Sequence, residues 1–381
     1  MTVQTAAGEF RLFRRYRWAA KQGGGYAADA MLGIEQDTLS PGARELCCLM
    51  GVGQNFRQAS EDLKKVGGLS LSKEKLRQVV EGEAQAMRKQ RDAGALPASW
   101  SAGQAKLPDG TTRVYVGVDG VMAPTVTQAE KDQRRRRHIT RRQQRGRAGV
   151  GNAKPLPPAK AGSDEKFKEM KIGVFYDQTK TFRHVFATEE PSRDFAPLLA
   201  THARQIDLAA ADQVLGRIDG AVWIYRQVCQ ALLFIHSILL DFYHLAEHVH
   251  ATARCCLGEG TSAAADWAMH LLQQAKVSDL KGMLQAIGAL GKRVRSGARR
   301  KSVCGLRQYI EQRREMLDYA GALSAGQDIG SGPTEAECKT LTLRLKGAGM
   351  KWDRDNAAAM MNLTALRESD QWDAYWRRKA A

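Results

Sequence analysis

The sequence predicts an α/β protein with a sheet-based core, an all-α insertion, and a helical region ahead of both. Three observations carry that expectation. The runs RVYVGVD (113–119, Val-rich), KIGVFYDQ (171–178), TFRHVFAT (181–188) and QVLGRID (213–219) read as strands, and segments with helical spacing follow the last two. Residues 242–325 place Trp267, Leu271, Leu272, Leu284, Ile287 and Leu290 at helical spacings and show no strand-like alternation. The 381-residue chain is 43% hydrophobic, enough to bury a core, which excludes wholesale disorder; at roughly 100–200 residues per domain, two or three domains are expected.

Charge narrows the function classes. Lys and Arg number 58 against 41 Asp and Glu, and a formal charge of +17 suits a polyanionic partner, nucleic acid first, better than a small neutral substrate. Ala231–Leu240 (ALLFIHSILL) falls short of the roughly 20 apolar residues of a membrane span and reads as a buried strand. The N-terminal MTVQTAAGEFRLFRRYRW has no apolar core of a secretory signal, so a cytoplasmic location is expected. Seven cysteines, including the vicinal pairs Cys47/Cys48 and Cys255/Cys256, show no C-x-x-C and read as reduced thiols.

The elements follow in order. Residues 1–36 are basic, aromatic and Gly-rich, a poor helix with no clear strand, and are expected to be an extended arm. Residues 37–92 form a helical DNA-binding region. SPGARELCCLMG begins with proline early in a helix; NFRQASEDLKKV places Phe56, Ala59, Leu63 and Val66 on one face; and SKEKLRQVV opens a further helix capped by Ser72. Helix, glycine turn and helix fit a helix-turn-helix with Lys73, Lys75 and Arg77 at the start of the recognition helix, or equally an ordinary helical hairpin.

The core starts at 113 and its first part runs to 241. It is interrupted at 128–168 by a polar insertion whose KDQRRRRHITRRQQRGR holds nine Lys/Arg in seventeen residues. Without apolar periodicity it reads as a mobile basic loop, with Arg134, Arg135, Arg136, Arg137, Arg141 and Arg142 as phosphate contacts. A hairpin-like pair around Thr179-Lys180, a helix at DFAPLLATHARQI, a helix after Asp219-Gly220 and a strand at LLFIHSILLD complete this part. That order resembles a ribonuclease-H-like core. After the insertion, 326–381 closes the core with a helix opened by Pro333 and another from about Asp355.

Three acids stand where burying a carboxylate needs a reason. Asp119 and Asp219 end apolar strands and Glu335 opens a helix, and two strand-end aspartates with one helix glutamate could converge to hold two divalent ions. Hard oxygen ligands suit Mg²⁺ or Mn²⁺ for phosphoryl transfer. Glu337 competes with Glu335, but positions two apart on a helix point about 200° away from each other, so only one can enter. Glu335 shares its face with Lys339 and Lys346, candidate phosphate ligands. Trp352, beside Lys351, either packs the last helices, as Trp372, Tyr375 and Trp376 do, or stacks on an unpaired base.

YVGVDG, LGRIDGAVWI, LLDFYHLAEHV and GSGPTEAECKTLTLRLKGAGMKWDRDNAAAMMNL, preceded by LSPGARELCCLMG, resemble in this order the blocks of bacterial insertion-sequence transposases of the DDE class, in particular the Kra-type group related to Mutator-like elements. The resemblance covers about residues 12–376. It implies a metal-binding catalytic triad of Asp119, Asp219 and Glu335 and a supporting D-x-x-H pair of Asp241 and His244. It also implies cutting at element ends, transfer of a 3′-hydroxyl into target DNA, two Mg²⁺ or Mn²⁺ ions, and a homodimer or larger assembly on DNA near the bacterial nucleoid. Where relatives carry a cysteine-rich, zinc-ribbon-like segment, this chain has YRWAAKQGGGYAAD. One alternative is a catalytically inactive DNA-binding derivative. Another is a zinc peptidase, because His244-Leu245-Ala246-Glu247-His248 satisfies H-x-x-E-H, although a peptidase gives no account of the charge.

Overall fold

A computed structural model of the chain describes residues 1–19, 23–34, 38–145, 156, 158 and 160–380. The N-terminal segment forms two small antiparallel ribbons, β1 (Thr2–Thr5) with β2 (Gly8–Arg11) and β3 (Arg17–Ala19) with β4 (Gly23–Gly25), followed by the short α1 (Ala27–Met31). The expected extended arm is therefore corrected. Main-chain pairing fixes the first ribbon, with Val3 buried on its inner side.

Three helices come next: α2 (Pro41–Gly53), α3 (Phe56–Gly67) and α4 (Lys73–Asp92). Ser40, Asn55 and Ser72 cap them, each accepting a backbone N–H three residues on. The core then runs β5 (Arg113–Pro124), α5 (Gln128–Gln144), β6 (Phe167–Asp177), β7 (Arg183–Thr188), α6 (Phe195–Gln205), β8 (Gln213–Ile218), α7 (Val222–Ala231) and β9 (Ser237–Leu240). The helices α8 (Phe242–Leu257), α9 (Ser262–Lys276), α10 (Leu280–Arg293), α11 (Gly297–Gln312) and α12 (Tyr319–Ser324) form the insertion. The chain closes with α13 (Gly332–Leu343), α14 (Arg354–Glu368) and α15 (Trp372–Ala380).

The five core strands make one mixed sheet in the order β7-β6-β5-β8-β9, with β5 antiparallel to β6 and parallel to β8, and β8 parallel to β9. Alternation along β5 assigns its two faces. Val114, Val116 and Val118 join one buried cluster with α6, α7 and the insertion, while Tyr115 joins a second cluster with α2, α4, α13, α14 and α15. The sheet is thus covered by helices on both sides.

The helical region 37–92 packs onto the C-terminal helices: Leu76, Val80, Ala84 and Met87 of α4 are buried in the same cluster as α14, the larger side chains each contributing roughly 1.5–3 kcal/mol. Arg91, also fully buried, donates from Nε to Gln371 Oε1 at 3.1 Å and from Nη2 to Ser369 Oγ at 3.0 Å. The arginine segment is the helix α5 instead of a loop. Thr127 and Glu130 form a reciprocal capping box at its start, and no residue of the helix is buried. The Pro/Gly-rich half of the expected basic loop lies mostly outside the described residues. The apolar run before Asp241 is strand only over β9, and Leu233 within it is exposed.

Candidate active site

The register of the parallel strands builds the site. Val118 pairs with Ile218 and Ile218 with Leu240, so the residues one step further, Asp119, Asp219 and Asp241, stand side by side just past the end of the parallel ladder, where β8 and β9 end and β5 runs on against β6. Ligand sites in such sheets lie at the carboxyl ends of parallel strands, outside the last ladder bonds. Asp119 and Asp219 fall on the face shared with Tyr115 and Leu215, which α13 covers.

Each aspartate is held differently. Asp119 Oδ1 accepts from Gly120 N at 2.6 Å, and its Oδ2 accepts from the Cys338 thiol of α13 at 3.3 Å. Asp219 Oδ1 accepts from Ala221 N at 2.8 Å. Burial pushes the Asp219 carboxyl above its ordinary pKa, the Ala221 bond pulls it back, and the neighbouring Asp119 carboxylate raises it again. Asp241 is fully buried: Oδ1 accepts from Tyr243 N at 2.6 Å and His244 N at 3.3 Å, capping α8, while Oδ2 accepts from the N–H of Ser331 at 2.7 Å and from its hydroxyl. Asp241 therefore ties the start of α13 to the start of α8 and has little left for a ligand.

The placement of α13 decides between the two glutamates. A Cβ at Gly117 would lie 1.8 Å from Thr334 Oγ1, so only glycine lets the helix approach β5 this closely. Thr334 and Cys338 form the ridge over β5, and at 100° per residue Glu335 and Glu337 flank that ridge on opposite sides. Glu337 is buried and meets Arg183 of the edge strand β7, its Oε1 accepting from Nη1 at 3.0 Å; burial pushes its carboxyl up to about 7. Glu335 continues the side that Ser331 presents to Asp241, towards β8 and β9, and is half-buried. The sheet thus brings Asp119 and Asp219 together and α13 presents Glu335 on their side. No group of three His, Cys, Asp or Glu side chains among the described residues is already drawn in to hold an ion. The donors that stand there are hard oxygens, which fit Mg²⁺ or Mn²⁺.

The insertion closes the other side of Asp219. Tyr309 of α11 donates to the Asp219 carbonyl at 3.3 Å, and Arg313 Nε donates to the Gly220 carbonyl at 2.9 Å while its guanidinium lies 3.9 Å from the Tyr309 ring centroid. Gly220 has φ +79°, and a Cβ there would meet Arg313 and Leu240 within 3 Å. His244 is close enough to favour the Asp219 carboxylate, and its Nδ1 stands 3.6 Å from Glu247. The His248 ring is stacked on Tyr309 at 4.0 Å, and burial and the nearby Arg313 disfavour its protonation. Sequence reasoning passed over Cys338, Tyr309 and Arg313. Only Cys338 left a signal, three residues after Glu335 on the same helix.

The expected DNA contacts divide. Arg134, Arg136, Arg137 and Arg141 of α5 are exposed, Arg135 and Arg142 half-exposed, and Lys339 and Lys346 exposed. Lys73 is exposed and Lys75 half-exposed at the start of α4, whereas Arg77 is engaged by Glu74 at 2.6 Å and Glu81 at 2.5 Å. Trp352 is not a free stacking platform: it is 6% exposed, packs edge-on against Phe56 at 6.2 Å and donates from its indole N–H to the Leu345 carbonyl. No helix among the described residues is long and apolar enough to cross a membrane, and all seven cysteines are free. A scan of protein-family models and a search of curated proteins find no match to this chain.

Proposed function

We propose that the chain is a metal-dependent DNA transposase of the DDE class, cutting at the ends of an insertion sequence and joining a 3′-hydroxyl to target DNA. The carrying observation is the side-by-side placement of Asp119 and Asp219 just past the end of the β5–β8 parallel ladder, under α13, whose Cys338 contacts Asp119 and whose periodicity turns Glu335 to the same side. The strand order β7-β6-β5-β8-β9, with three antiparallel-linked strands followed by two parallel ones, supports a ribonuclease-H-like core. Asp119, Asp219 and Glu335 would hold two Mg²⁺ or Mn²⁺ ions, which activate the attacking oxygen and stabilise the leaving one when bound.

The protein's own residues supply position and charge. Asp241 pins α13 and thereby Glu335; Tyr309 and Arg313 fix the Asp219-Gly220 turn from the insertion; and the arginines of α5, with Lys339 and Lys346, offer phosphate contacts. The resemblance extends the proposal to a dimer or larger assembly on two element ends in the bacterial nucleoid.

A second reading, an inactive DNA-binding derivative, is favoured by one observation: the Cys338 thiol occupies Asp119 Oδ2. Incubation with the flanking genomic DNA and Mn²⁺ separates the two. Nicked and joined products from wild type but not from Asp219→Ala support the transposase. Salt-sensitive DNA binding without products from wild type supports the derivative.

A further inference from the structure

At the far end of α13 from Glu335 lies a cavity of about 490 Å³ that nothing above assigns. Its walls come from chain segments far apart in sequence: Phe56 of α3, Arg77 and Glu81 of α4, Arg134 of α5, and Arg344, Met350, Trp352 and Asp353 between α13 and α14. The segment that carries Trp352 is zipped onto the end of β5, Trp352 N donating to the Pro124 carbonyl at 3.1 Å and Val126 N to the Trp352 carbonyl at 2.9 Å. The cavity is therefore built on the sheet.

Arg344 is its unusual member. The side chain is 8% exposed, and its guanidinium lies 4.8 Å from the Phe56 ring centroid and 5.0 Å from that of Trp352. Nε donates to the Gly51 carbonyl at 3.0 Å and Nη1 to Met350 Sδ at 2.8 Å, which locks the plane. No carboxylate among the described residues forms an ion pair with it, and none pairs with Arg134 at the rim. By contrast, Arg77 is held by Glu74 and Glu81, and Lys351 by Glu130. Glu81 favours the Arg344 charge at longer range but is itself paired with Arg77, and Asp353 is paired with Lys131, so an anion in direct contact with this buried guanidinium is left for a ligand to provide. Burial lowers its pKa to about 10, so it keeps its charge at neutral pH.

The wall chemistry selects the ligand. A planar cation with free donors and a second cation at the mouth suit a phosphate, while Phe56 and Met350 add an apolar wall on which a base can rest. Arg134 also belongs to α5, so a strand following that arginine helix reaches the cavity mouth. Glu335 and Arg344 are nine residues apart, which at 1.5 Å per residue along the helix is about 13 Å, roughly four base steps of 3.4 Å.

We infer that this cavity binds one unstacked nucleotide of a DNA strand, its phosphate on Arg344 and Arg134 and its base against Phe56, a few steps from the phosphate at the carboxylates. The inference rests on the transposase reading and deepens it by naming where the strand is gripped.

Fluorescence anisotropy with a fluorescein-labelled single-stranded dT12 tests it, using the full chain and the variants Arg134→Ala, Arg344→Lys and Phe56→Ala. Arg193→Ala serves as control, removing an exposed arginine outside the cavity. Arg134→Ala and Arg344→Lys are expected to weaken binding roughly tenfold. Arg134→Ala also lowers the slope of log K against log salt by about 0.7. Phe56→Ala is expected to weaken binding at least about fivefold with the slope unchanged, and Arg193→Ala to stay within about twofold. Melting curves check folding; if Phe56→Ala or Arg344→Lys unfolds, Arg134→Ala, exposed at the rim, decides. Cavity variants that bind like Arg193→Ala, while Asp219→Ala still abolishes nicking, overturn the cavity and leave the transposase standing. Failure of wild type to bind dT12 or duplex DNA overturns both.

Discussion

Asp241 shows what a carboxylate needs in order to be buried without an ion: four donors, two from the start of α8 and two from Ser331. Asp241→Asn replaces one accepting oxygen with an NH₂ that faces a donor. It is expected to destabilise the fold by about 2–3 kcal/mol, read by denaturant melts, and to lower activity by loosening α13. The second residue-scale prediction concerns His184 and His202, both fully buried and joined Nε2 to Nδ1 at 2.9 Å, with the His202 ring stacked on Phe186. Burial, then the nearby Arg91, lowers both pKa values, so the folded state binds fewer protons than the unfolded one. The sign follows from linkage. Stability is full above the unfolded pKa near 6.5 and falls as pH drops below it, with a slope of up to about 1.4 kcal/mol per pH unit for each histidine. Melts between pH 7.5 and 5 should show that loss, and His202→Asn should flatten it; a flat wild-type profile would contradict it.

At the scale of elements, the close approach of α13 to β5 is the contact that aims Glu335. Gly117→Ala drives a methyl into Thr334, and an expected cost of about 1–3 kcal/mol should appear in thermal melts together with loss of metal-dependent cleavage. The strands around Asp119 and Asp219 were legible because Val-rich runs ending in Asp-Gly are a local pattern. Beyond Asp119 the pattern misled, since Asp-Gly reads as a turn while β5 continues to Pro124 on the antiparallel support of β6. Helix α5 was missed because a helix with no buried face has no apolar period; the Thr127-x-x-Glu130 capping box was its one local signature. The identity of Trp352 as packing was not local either, because its partner Phe56 lies almost three hundred residues away. Asp241's role likewise depends on Ser331, brought to it only by the return of the chain after the insertion.

At the scale of the whole molecule, the proposed DNA partner would be met by a formal charge of +17 and an arginine helix standing clear of the core. Each neutralised phosphate releases counterions, so duplex binding should weaken by roughly 10³- to 10⁵-fold between 50 and 200 mM salt if six to ten phosphates are contacted. Titrations across that range check it, and a flat dependence contradicts a DNA-binding role. The helical region 37–92 shares its core with the five-stranded sheet, so its separation as an isolated domain should yield an unfolded fragment.

In the proposed transposase, Asp119, Asp219 and Glu335 form one metal-dependent site from which Glu337 is excluded. The most direct measurement is Mn²⁺-dependent strand transfer of the element's own end, compared among wild type, Asp119→Asn, Asp219→Asn, Glu335→Gln and Glu337→Gln, with DNA affinity and melting measured on each. The first three variants are expected to lose at least about 10³-fold in rate while binding DNA and folding normally, and Glu337→Gln to keep its activity. Activity surviving in Glu335→Gln, or lost in Glu337→Gln with the fold intact, would contradict it.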